Sequence, residues 1–110
     1  MKSFKDLEFK PHANNPKSVQ ASCKLGNSIS ISVVAGEGLY GSVESGLYEV
    51  GAFQGRDWIP LSCADDVIGW QTPEQITDLM IKLQANNVQE WIKQKIGEKL
   101  DWQEENIYTA

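Results

Sequence analysis

The apolar residues of this chain change their spacing once, at Thr72, and that change restricts the fold more than any other feature. Before it, apolar and polar residues alternate. Val19, Ala21, Cys23 and Leu25 are interleaved with Gln20, Ser22 and Lys24, and Ile29, Ile31 and Val33 with Ser28, Ser30 and Ser32. A period of two marks strands with one face buried and one face in water. After Thr72 the period is that of a helix: Ile76, Leu79, Met80 and Leu83 stand at i, i+3, i+4 and i+7. Thr72-Pro73-Glu74-Gln75 supplies an N-cap, a proline at the first helical position and a glutamine placed for a capping box. Asn86-Asn87 breaks the pattern. Val88, Trp91, Ile92, Ile96 and Leu100 then resume it as a second helix to about residue 100. Strands first and helices afterwards predict an α+β fold, with an antiparallel sheet of four or five strands and two C-terminal helices packed on one face.

The strands can be placed in more detail. FKDLEF, residues 4–9, reads as a short strand, and PHANNPKS after it as a loop. A two-residue Gly26-Asn27 turn would set Leu25 and Cys23 opposite serines. A three-residue loop pairs Leu25 with Ile29, Cys23 with Ile31 and Ala21 with Val33, so the apolar pattern favours the longer loop. Gly46 to Phe53 is the next strand, followed by a Gln54–Asp57 turn. Trp58–Leu61 is a short strand that Pro60 assigns to an edge or bulge, and Asp66 to Trp70 is a last extended segment.

With 110 residues, one domain over residues 1–100 and an acidic tail at 101–110 account for the chain. The net charge of −5 lies wholly in the second half, where five basic residues face ten acidic ones. That distribution argues against a phosphate backbone or an anionic membrane as a direct partner. No apolar run approaches a membrane span, and the start MKSFKDLEFKPH has no secretory apolar region. Cys23 and Cys63, the two cysteines, therefore read as reduced thiols of a cytoplasmic protein.

AGEGLYG, residues 35–41, has the spacing G-x-G-x-x-G. A dinucleotide site needs a helix directly after such glycines, because the helix N-terminus receives the pyrophosphate. Here Ser42–Gly46 lead into another strand, no parallel crossover fits, and Glu37 would repel phosphate. The glycines read instead as bends of a long connection between antiparallel strands. Glu37, Leu39, Tyr40 and Val43 in that connection, with Trp58 and the tail residue Trp102, form the candidate interaction surface.

Catalytic constellations are weak. Asp65-Asp66 is the one adjacent acid pair outside the tail, and neighbouring strand residues point to opposite faces. His12 is the sole histidine and lies in a polar segment. No nucleophile motif is present, and two cysteines forty residues apart do not make a zinc site. The sequence thus predicts no enzyme, no cofactor and no metal. An enzyme using Asp65, Asp66 and His12 is the least favoured alternative.

AGEGLYG, then GLYEVGAF, then DDVIGWQTPEQI resembles small acidic proteins encoded by bacteriophages and prophages. Those proteins carry a glycine-tyrosine loop, a YEVA-like strand and an entry to a helix of the form V-x-G-W/Y-x-T-x-E-E-V/I. The resemblance covers residues 28–84 and implies a genomic setting rather than an activity. The second helix and the tryptophan-containing tail depart from it. The resulting expectation is a non-enzymatic protein acting through an unidentified protein partner, host-encoded if the gene is viral, with self-association also allowed. The alternative is an acidic inhibitor of a host nucleic-acid-binding or defence system, imitating phosphate with Asp101, Glu104, Glu105 and Glu90 or Glu98.

Overall fold

A computed structural model describes residues 1–62, 66–85 and 89–98. Its centre is an antiparallel sheet of six strands: β1 Lys10–His12, β2 Asn15–Gly26, β3 Ile29–Ala35, β4 Tyr48–Gln54, β5 Asp57–Ile59 and β6 Val67–Gln71. The order is β1-β2-β3-β4-β5, and β6 shares the outer edge of β4 with β5. Ala52 to Gln54 pair with β5, and Tyr48 to Gly51 with β6. Helix α1, Pro73–Ala85, follows, and residues 89–98 form a second helix, α2.

The alternation read from the sequence decides which face is covered. Ala21, Ile31, Val33, Val50, Ala52 and Ile59 point to one side and pack with Ile76, Met80 and Leu83 of α1 in a single core. Trp91 and Ile92 of α2 are half-buried against the same cluster. The Trp91 indole N–H donates to the Pro60 carbonyl at 2.7 Å, which ties α2 to the end of β5. The opposite face carries cross-strand pairs such as Ser22–Ser32 and Lys24–Ser30.

The capping box forms as the sequence predicts. The Gln75 N–H donates to Thr72 Oγ1 at 3.2 Å, and the Thr72 N–H donates to Gln75 Oε1 at 2.8 Å. Thr72→Ala removes one half of this exchange and is expected to lower stability by about 1 kcal/mol in urea unfolding.

Four expectations are corrected. The α+β fold is as expected, but PHANNPKS is not a loop, and its hairpin brings the sheet to six strands. Its prolines sit in a β1–β2 edge hairpin, where a missing N–H costs little. The register jumps between Pro11 and His12, so residues 16–18 of β2 have no β1 partner. Second, FKDLEF is not a strand: Phe4–Asp6 form a 3-10 turn. Its Phe4 ring lies 5.7 Å from Phe9 and 5.3 Å from Tyr48, and the Phe4 N–H donates to Thr77 Oγ1 at 3.1 Å. Third, Cys23–Ile31 and Ala21–Val33 pair as expected, but Gly26 rather than Leu25 faces Ile29. Asn27 and Ser28 both adopt positive φ, 53° and 65°, giving a two-residue turn whose twist suits a hairpin, and a bulge at Leu25 keeps the faces in phase. Fourth, Ile96 is half-exposed rather than core-facing. Val88, Leu100, Cys63, Asp65 and the tail with Trp102 lie outside the described residues.

Candidate functional site

The connection from β3 to β4 folds into two closed units. The Gly36 N–H donates to the Gly41 carbonyl at 3.2 Å and the Leu39 N–H to the Gly36 carbonyl at 3.1 Å, closing the first. Ser42 and Leu47 exchange backbone hydrogen bonds of 2.9 and 3.1 Å, closing the second. Gly41 sits so close to the start of β4 that an added Cβ would stand 2.8 Å from the Leu47 carbonyl oxygen and 2.9 Å from Tyr48 Cα. The glycines of AGEGLYG therefore build a compact loop joining antiparallel strands, as the sequence reading has it.

The loop is fastened to β6. The Trp70 N–H donates to the Tyr40 carbonyl at 2.8 Å, and the Tyr40 N–H donates to Glu49 Oε1 at 3.3 Å. Gly69 leaves room for Tyr40, whose Cβ would be 2.5 Å from a Cβ at position 69. The β4–β6 register shifts between Tyr48 and Val50, and Trp70 in this irregular stretch has φ 57°. Left-handed backbone costs an L-residue roughly 1–2 kcal/mol and is ordinarily supplied by glycine. For a residue as bulky as tryptophan it is an outlier.

The expense is not offset by deep burial, since Trp70 is 53% exposed. Trp70 joins Leu39, Val43, Glu37, Glu44 and Lys17 around a groove of ≈ 450 Å³. Tyr40, 60% exposed, stands beside it. The structure thus brings Glu37, Leu39, Tyr40 and Val43 together. It adds Trp70, which the sequence shows only as the end of the last extended segment. Bulges recur where a strand must re-aim a side chain toward a site. Replacing Trp70 by Gly and by Ala removes the same ring, but glycine alone relieves the backbone. Trp70→Gly is therefore expected to be more stable than Trp70→Ala by about 1 kcal/mol, the reverse of their usual order in a strand. Equal urea midpoints would show that residue 70 is not left-handed in solution.

Trp58 belongs elsewhere. Its ring packs 4.3 Å from that of Phe53 and lies over Gly51, half-exposed as expected. Trp58 does not line the groove, so with Phe53 it forms a second patch.

His12 in β1 and Asp66, just before β6, stand at opposite edges of the sheet. Four strand spacings, about 19 Å, separate the two columns, so they form no proton-transfer pair. The His12 Nδ1 accepts from the Asn14 N–H at 3.1 Å within its own turn. Among the described residues no three His, Cys, Asp or Glu side chains converge as metal ligands would, and no helix is long and apolar enough to cross a membrane. Compared with known proteins, the chain matches no family model, no curated protein and no solved structure.

Proposed function

We propose that this chain is a small non-enzymatic binding protein that captures a protein partner at the groove between the 36–47 loop and the end of β6. The observation that carries the reading is Trp70: a half-exposed tryptophan held in left-handed backbone at a strand irregularity, beside exposed Tyr40. Tryptophan and tyrosine are the typical anchors of protein interfaces. A strained conformation that presents an anchor to solvent is one that folding alone does not favour. The resemblance over residues 28–84 to phage- and prophage-encoded proteins supports a viral or prophage setting, and in that setting the partner we propose is a host protein of the cytoplasm.

The test compares variants rather than a single capture. Wild type, Tyr40→Ala with Trp70→Gly, and Trp58→Ala are used as baits in host lysate, each checked for an unchanged fold by circular dichroism. A stoichiometric partner held by wild type and Trp58→Ala, and lost by the Tyr40/Trp70 variant, is the expected result. A partner lost only on Trp58→Ala would move the interface to the Phe53–Trp58 patch and overturn the reading.

Of the acids of the phosphate-mimic alternative, Glu98 pairs with Lys95 at 3.2 Å, and Asp101, Glu104 and Glu105 lie outside the described residues.

A further inference from the structure

The groove has a charge pattern as well as a shape. Glu37 and Glu44 line it from its two loop units, and neither carboxylate has an ion pair or hydrogen bond to a described residue. Glu49 accepts from the Tyr40 N–H of the same loop but does not line the groove. The one cation in the lining is Lys17, carried by the β2 stretch that the register jump leaves unpaired with β1. Trp70, 53% exposed, lines the same groove, with Leu39 and Val43 as its apolar residues.

We propose that this groove takes an arginine side chain presented by the protein partner. The inference rests on the docking reading above and adds the chemistry of the occupant. A guanidinium is planar and weakly hydrated, stacks on an indole face, and offers several N–H donors in one fork. Stacked on Trp70, it reaches unpaired carboxylates without desolvating a compact ammonium. Its methylene stem fits the apolar wall of Leu39 and Val43. Lysine supplies the same charge without the stacking plane and binds less well. A neutral side chain of the same shape leaves Glu37 and Glu44 unpaired. Lys17 opposes the guest, which gives the proposal a substitution of opposite sign.

The experiment is a titration of the isotope-labelled full chain, followed by NMR, with the blocked tripeptide acetyl-Gly-Arg-Gly-amide and with its citrulline counterpart, a neutral isostere. The arginine peptide is expected to shift the Trp70 indole N–H and the Gly38 and Gly41 amides saturably, with affinity about fivefold or more above the citrulline peptide. Glu37→Gln with Glu44→Gln should reduce that preference to near parity, and Lys17→Ser should strengthen arginine binding about twofold or more. Equal binding of both peptides in the groove would overturn the arginine assignment and leave the docking reading standing. Shifts confined to Trp58 and Phe53, or none at all, would overturn it too. The docking reading itself is decided separately by the Tyr40/Trp70 variant.

Discussion

Gly36→Ala is expected to destabilise the protein by about 3–5 kcal/mol, a large share of the roughly 5–15 kcal/mol that holds a domain of this kind together. Two independent costs combine. Gly36 has φ +147°, a conformation L-residues rarely adopt, at roughly 1–3 kcal/mol. An added Cβ would also overlap the Ser18 side chain and stand 2.9 Å from Ser18 Cα, and overpacking of this kind costs about 1–3 kcal/mol. Ser18 cannot swing into a hydrogen bond in compensation: it is 1% exposed, and its hydroxyl has no partner among the described residues. Gly38→Ala is the control. It shares a positive φ, +80°, but faces open space, so only the backbone cost of about 1–2 kcal/mol remains. Ser18→Gly combined with Gly36→Ala should recover the steric part and leave the backbone part, less the cost of the new glycine in β2. Urea unfolding of the four proteins checks the scheme. Equal costs at positions 36 and 38 would show that β2 does not approach Gly36 as described.

The glycines also show what a sequence can and cannot reveal. Spacing alone makes Gly36, Gly38 and Gly41 one motif, yet each answers a different local need. Gly36 clears Ser18, Gly38 bends the loop tip, and Gly41 clears the start of β4. That a strand rather than a helix follows these glycines was legible locally, from the residues after Gly41. The covered sheet face and α1 were equally legible, since period and capping residues are local properties. The edge hairpin of β1 was not, because Pro11, Asn15 and Pro16 are turn formers by composition and strand members only through their neighbours. Trp70 was hidden for a related reason. Its left-handed backbone follows from the β4–β6 register and from Tyr40 packing on Gly69, contacts made across about thirty residues of chain. The pairing of loop acids with that indole could not be read before the loop was seen to fold back.

Ile76→Ala carries the second large effect, expected at about 3–4 kcal/mol, or a fall in Tm of roughly 12–20 °C. Ile76 is fully buried and is the first core residue of α1, facing the sheet with Met80 and Leu83. The truncation removes its transfer free energy and leaves a cavity that the rigid sheet cannot fill. Depth should order the series along the helix. Leu79→Ala, half-buried, is expected to cost about half as much, and Ile81→Ala, 40% exposed, less than about 1 kcal/mol. The series also separates stability from recognition. Ile76 lies under the covered face, whereas the groove is built by the 36–47 loop and the end of β6. Well below its lowered Tm, Ile76→Ala should therefore hold the arginine peptide as wild type does, while Trp70→Gly should lose the peptide with a far smaller change in Tm. Loss of peptide binding in Ile76→Ala at a temperature where its circular dichroism is native would mean that the helix layer, not the loop alone, sets the shape of the groove.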